Sequence, residues 1–178
     1  GVKRIGRFTF NGCHKLTNLT IGKDVTSIGD GAFNACSALQ KLEIPNSVET
    51  IEEGAFLLNS ALTNVTIGTG VKAIGAGAFR SCSSLTSIVI PDSVTSIGEY
   101  AFAECGKLNT VVIGNGVTTI ESRAFEDTTE VKELTMPITL SMESGGMSGL
   151  TKLKKVTLTK GKDGQGINYY VDEKDSAE

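Results

Sequence analysis

The dipeptide Ala-Phe returns every 23 residues through most of this chain, at Ala32-Phe33, Ala55-Phe56, Ala78-Phe79, Ala101-Phe102 and Ala124-Phe125, with Thr9-Phe10 as a degenerate earlier copy. Other positions keep the same phase. Ile21, Ile44, Ile67, Ile90 and Ile113 form one set, Val25, Val48, Val71, Val94 and Val117 a second, and Ile28, Ile51, Ile74, Ile97 and Ile120 a third. A unit of that length cannot bury its apolar face alone and must stack on its neighbours, so the period specifies a solenoid.

Each unit begins with a short alternation. Ile88 and Ile90 have the period of two that puts both on one face of a strand, and Leu19/Ile21, Leu42/Ile44, Val65/Ile67, Val111/Ile113, Leu134/Met136 and Val156/Leu158 are equivalent pairs. Seven short parallel strands are expected, stacked roughly 4.8 Å apart. A Pro or Gly then turns the chain (Gly22, Pro45, Gly68, Pro91, Gly114, Pro137). The following Val-x-x-Ile has a spacing wrong for a regular strand and reads as a bent extended segment with both side chains inward. Phe33, Cys36 and Leu39, at i, i+3 and i+6, predict a short 3₁₀ or α turn. The fold class expected is an α/β repeat solenoid of about six to seven repeats, with short parallel strands and short helical turns.

The period slips near the C-terminal end. One residue is lost between Leu140 and Met142, after which Met142, Met147 and Leu153 match Ile120, Phe125 and Val131 at a spacing of 22. Residues 1–159 are expected to form the solenoid. Residues 160–171 form a closing segment, with a Gly-rich turn and a last strand over Ile167, Tyr169 and Val171. The acidic tail 172–178 is expected to be disordered. Val2 and Ile5 sit one period before Val25 and Ile28, so the chain opens in mid-repeat and reads as a fragment or processed form.

The unit Leu85-x-x-Ile88-x-Ile90-Pro91-x-x-Val94-x-x-Ile97-Gly98-x-x-Ala101-Phe102-x-x-Cys105 resembles the BspA-like class of leucine-rich repeats. The resemblance covers residues 2–159. It implies a right-handed leucine-rich-repeat coil and a place on the cell surface or outside the cell in host-associated bacteria and some protists. It also implies adhesion to host matrix proteins or other cells, and it brings no catalytic motif.

The residues themselves offer little chemistry. Net charge is −3 with both signs interspersed, so no basic stripe is available to neutralise nucleic-acid phosphates. No apolar run approaches the roughly 20 residues that span a bilayer as a helix, and no direct membrane insertion is expected. Cys13, Cys36, Cys82 and Cys105 share one repeat position, filled elsewhere by Asn59 and Thr128. Adjacent-coil pairs fall within disulfide range, but a parallel ladder favours buried free thiols acting as small hydrophobes. The sole imidazole, His14, reads as an exposed histidine, and its neighbour Cys13 points about 100° away from it on a helical turn. Gly75-Ala76-Gly77 lacks the third glycine of a nucleotide-binding loop and reads as small residues in a bend. Neither a catalytic site nor a metal or cofactor site is expected. The exposed aromatics Tyr100, Tyr169 and Tyr170 make no stacking platform for a carbohydrate.

Recognition is therefore expected on the outward strand positions. Lys41, Glu43, Thr66, Ser87, Val89, Thr110, Val112 and Glu133 are the candidate partner-binding residues: charged at the margins of the sheet, with valines among Ser and Thr at its centre. Trp, Tyr and Arg, the usual hot-spot types, are missing from this face. The expected function is non-enzymatic protein binding by a cell-surface or secreted monomer, with host matrix proteins as partners. The alternative is a spacer that displays another domain.

Overall fold

The structure, a computed structural model, describes residues 1–138, 140–142, 145–159 and 166–170. Its backbone is a stack of coils whose strands lie on two sides. One sheet has seven parallel two-residue strands: β1 (Arg4–Ile5), β2 (Ser27–Ile28), β4 (Thr50–Ile51), β6 (Ala73–Ile74), β8 (Ser96–Ile97), β10 (Thr119–Ile120) and β12 (Ser141–Met142). These are the Val-x-x-Ile segments. Val94 and Ile97 both lie in the core, as their spacing predicts, and the segment also pairs with its neighbours, which the spacing did not predict. The register steps by one repeat per coil until Ile120 meets Met142, where the lost residue shortens the step.

The strands read from the alternating pairs form the other side: β3 (Lys41–Glu43), β5 (Asn64–Thr66), β7 (Ser87–Ile90), β9 (Thr110–Ile113), β11 (Glu133–Pro137), β13 (Lys155–Thr159) and β14 (Gly166–Tyr170). They do not make one continuous sheet. β3 and β5 pair with each other alone, whereas β7, β9, β11, β13 and β14 form a five-stranded sheet. The strand expected at Leu19/Ile21 is not formed. β14 covers most of the expected closing strand and pairs antiparallel with β13, reversing the direction of the stack. Val171, the Gly-rich turn 160–165 and the tail 172–178 lie outside the described residues.

The expected helical turns are also corrected, because the described residues contain no helix. Between Ile28 and Leu39 the backbone N–H groups alternate in direction. Gly31, Phe33 and Ala35 donate to Glu53, Ala55 and Leu57 of the next coil at 2.9, 2.8 and 2.7 Å. Ala32, Asn34 and Cys36 close tight turns onto Gly29, Gly31 and Phe33. A helix would aim every N–H along its own axis. Here half of them stitch coils together, and the alternation requires φ of +55° at Gly31 and +58° at Ala35. Turn spacing and helix spacing both place i, i+3 and i+6 together, so the apolar pattern could not separate them.

Like residues stack over like. Phe10, Phe33, Phe56, Phe79, Phe102 and Phe125 form a continuous column of rings, with centroids 5.1 to 5.4 Å apart and planes within 13° of parallel. Five of these rings are fully buried, while Phe10 at the end of the column is 41% exposed. Burying one such side chain contributes roughly 1.5–3 kcal/mol. Gly98 shows how closely the backbones approach, since a Cβ there would lie 2.6 Å from the Ala76 nitrogen.

Candidate functional site: the strand face

Pleating gives the candidate residues their exposure. In β7 the side chains alternate, with Ile88 and Ile90 in the core and Ser87 and Val89 in solvent. Val89 is 59% exposed, among the most exposed large apolar residues of the chain. The parallel register then sets like-phased residues side by side. Val89, Val112, Thr135 and Thr157 make one row across the sheet, and Ser87, Thr110, Glu133 and Lys155 make the next. Val112 and Thr110 are half-buried and Glu133 is exposed. The five candidates Ser87, Val89, Thr110, Val112 and Glu133 therefore share one continuous surface. Glu133 lies opposite Lys155, which is not among the candidates read from the sequence.

Lys41, Glu43 and Thr66 are exposed but belong to the separate β3–β5 pair, where Lys41 faces Asn64 and Glu43 faces Thr66. The break between β5 and β7 divides them from the other five. An open cleft of about 990 Å³ lies beside β3, lined by Asn18, Leu19, Gln40, Lys41, Glu43 and Asn46 among others. The sequence carried no signal for it, because Leu19/Ile21 has the same alternation as Leu42/Ile44.

The turn side is electrostatically richer than the strand face. The Arg80 guanidinium reaches the Glu104 carboxylate at 2.5 Å, and Ser81 donates to the other oxygen of Glu104. The Ser81 hydroxyl first, and Arg80 second, hold the Glu104 carboxyl below its ordinary range. Arg80 and Arg123 both lie over the Tyr100 ring, with their guanidinium carbons 5.1 and 5.7 Å from its centroid. Tyr100 is thus occupied by intramolecular cation–π contacts.

The cysteines only partly follow expectation. Cys36, Cys82 and Cys105 are buried free thiols, but Cys13 is exposed. The buried ones are also more than small hydrophobes. Cys36, Cys82 and Cys105 donate to the carbonyls of Phe10, Phe56 and Phe79, and at the same repeat position Asn59 and Thr128 donate to those of Phe33 and Phe102. Burial pushes the Cys105 thiol up to about 12 and Cys82 well above its ordinary value, which keeps these two protonated near neutral pH. His14 is exposed, as expected. Among the described residues no cluster of three or more His, Cys, Asp or Glu is arranged for a metal ion, and no helix is long and apolar enough to cross a membrane.

The family model described as "BspA type Leucine rich repeat region (6 copies)" matches residues 1–83 and 58–171. Similar solved structures are bacterial leucine-rich repeat proteins. The T. pallidum protein TpLRR is 29% identical with a TM-score of 0.80, over 85% of this chain and 72% of that one. A protein of Bacteroides ovatus is 27% identical with a TM-score of 0.67, over 89% of this chain and 47% of its own. One from Eubacterium ventriosum is 25% identical with a TM-score of 0.74, over 95% and 48%. The chain spans about half the length of the last two. Among proteins with curated functions, none matches it. Leucine-rich repeats of this kind are protein-interaction scaffolds, and no enzyme family is indicated. The six matched copies, covering nearly all of the 23-residue units, establish that the chain belongs to the BspA-type leucine-rich repeat family.

Proposed function

We propose that this chain is a non-enzymatic adhesion module of a bacterial cell-surface or secreted protein, which binds a host matrix protein through its strand face. The observation that carries this reading is the Val89–Val112 pair. A 59% exposed valine on β7, the edge of the five-stranded sheet rather than its expected centre, sits beside a half-buried one on β9, with Ser87, Thr110 and Glu133 alongside. An exposed apolar pair flanked by polar and charged side chains is the kind of patch that protein partners cover. Lys41, Glu43 and Thr66 extend the surface on the separate β3–β5 pair. No Trp, Tyr or Arg occupies these positions, so a single module binds weakly and a longer array gains by multivalency.

The test is binding of the purified chain, as a monomer, to a panel of purified extracellular-matrix proteins on a biosensor. Val89→Glu with Val112→Glu should reduce the response about tenfold or more, the equivalent of roughly 1.4 kcal/mol. Unchanged binding removes this face from consideration. A second reading, a rigid spacer displaying other domains, draws on the chain spanning only 47% and 48% of two solved relatives. It predicts no binding to any member of the panel.

A further inference from the structure

The second coil has an unpaired strand edge, and the cleft beside it lies within the surface assigned above. Between the second and third coils, Thr63 N–H donates to Gln40 C=O and Ile44 N–H donates to Thr66 C=O. One repeat earlier, the equivalent bonds would run from Gln40 to Thr17 and from Ile21 to Glu43. Neither forms, and no backbone hydrogen bond crosses between Thr17–Ile21 and Gln40–Ile44. The same two coils are joined elsewhere, through β1 and β2 and through the turn bonds from Phe8 to Asp30 and Phe10 to Ala32. The first coil is thus held on two sides and open on the third.

Alternation fixes what faces the opening. In a strand, the N–H and C=O of one residue point to the same side, and successive residues point to opposite sides. Gln40 and Ile44 are bonded toward β5, so Leu42 shares that side. The N–H and C=O of Lys41 and Glu43 therefore point into the cleft, a donor and an acceptor at each of two positions. Their side chains are exposed above it, and Leu19 and Asn18 stand on the opposite wall. The cleft's volume of about 990 Å³ lies at the upper end of ligand-site volumes, roughly 300–1,000 Å³.

We propose that this edge accepts an extended peptide segment of a protein partner as an added parallel strand. Backbone bonds to Lys41 and Glu43 would supply affinity, and alternate side chains would supply specificity. The side chain opposite Lys41 is acidic and the one opposite Glu43, two residues on, is basic. The residue between them faces inward past Leu19 and is apolar. The favoured segment reads acid–apolar–base in the direction of β3. The inference rests on the strand face being the recognition surface, and it names the segment chemistry that one part of that face selects.

The experiment is amide hydrogen exchange by NMR on the ¹⁵N-labelled chain, with and without the synthetic peptide Thr-Val-Thr-Glu-Val-Lys-Val-Thr. In the free chain the Lys41 and Glu43 amides should exchange freely while those of Leu42 and Ile44 are protected. Saturating peptide should slow Lys41 and Glu43 by about tenfold or more, and the peptide with Glu and Lys exchanged should bind about tenfold more weakly, the scale set by two charge-assisted contacts. Glu43→Pro removes the N–H facing the cleft while keeping the β3–β5 bonds, and should abolish peptide protection at Lys41. Glu43→Lys leaves the backbone intact and should transfer preference to a peptide with acids at both positions. Free-state protection of Lys41 and Glu43 equal to that of Leu42 would show the edge already closed by the first coil and would overturn the proposal. So would a peptide that leaves both amides unchanged. If matrix-protein binding is lost in Val89→Glu but persists in both Glu43 variants, the strand face stands as the interface and the strand-addition site does not.

Discussion

The Cys105 thiol donates to the carbonyl oxygen of Phe79, 26 residues earlier and one coil away, at 3.3 Å. The same bond is made by Thr128 to Phe102 at 2.8 Å and by Asn59 to Phe33 at 2.8 Å. Three side-chain types fill one buried position because each brings a donor of the right reach. Without it, the Phe79 carbonyl inside the stack would keep only the 3.3 Å bond from the Cys82 N–H.

Cys105→Ala should therefore destabilise the chain by about 1 kcal/mol, the loss of one of two hydrogen bonds to the Phe79 carbonyl with some lost packing. Cys105→Thr should recover most of that, as Thr128 does naturally. Asn59→Cys should be stabilising, because the Asn59 amide oxygen is buried without a partner. Urea unfolding of the three variants checks the order.

The buried thiols make stability fall at alkaline pH. Burial raises Cys105 from an ordinary 9.0 to about 12 and raises Cys82 well above 9.0. Above pH 9 the unfolded chain loses protons that the folded chain keeps, so the unfolded state is favoured as pH rises. Each thiol contributes a slope of about −1.4 kcal/mol per pH unit, and for Cys105 that slope runs from about pH 9 to about pH 12. Below pH 9 both states hold the proton and the effect vanishes. Unfolding free energies of the wild type and Cys105→Thr should coincide at pH 7.5 after subtraction of a constant and separate steadily above pH 9.

The ring column makes a positional prediction. Phe79→Ala should cost about 3–5 kcal/mol, since it opens a cavity between two stacked rings. Phe10→Ala should cost clearly less, because that ring has one stacked neighbour and is 41% exposed. Equal losses in thermal unfolding would contradict the ladder as the source of cohesion.

Backbone conformation gives a paired test. Ala35 has φ of +58° and Gly77, at the other left-handed position of the turn, has +59°. A Cβ at Gly77 would meet nothing closer than the Arg80 Cβ at 3.9 Å, so the penalty of Gly77→Ala is conformational, about 1 kcal/mol. Ala35→Gly should gain a few tenths up to about 1 kcal/mol, the relief of strain less the entropy of an added glycine.

Most of the coil was legible from the 23-residue period, because Phe33 to Phe125 must stack in phase for any unit to bury its apolar face. The turn was misread as helical because Phe33, Cys36 and Leu39 have a spacing that helices and serial tight turns share. Backbone direction, not side-chain pattern, separates the two. The donor role of Cys82 and Cys105 was hidden because a thiol counts as apolar in any periodicity, although Asn59 and Thr128 at the same position were the available signal. On the strand face, alternation identified the outward residues from Lys41 to Glu133. It was silent on the breaks at Leu19 and between Val65 and Ile88, since local pattern does not encode how closely two neighbouring coils approach.

The most direct measurement of the central claim is a biosensor comparison of three forms of the chain against a matrix protein it binds: wild type, Val89→Glu with Val112→Glu, and Leu58→Glu on the turn side. Leu58 is 49% exposed, so its substitution adds a negative charge away from the strand face. The predicted result is a loss of about tenfold or more for the valine pair and wild-type binding for Leu58→Glu, with all three forms equally folded. Loss with Leu58→Glu and retention with the valine pair would place recognition on the turns and contradict the assignment of the strand face.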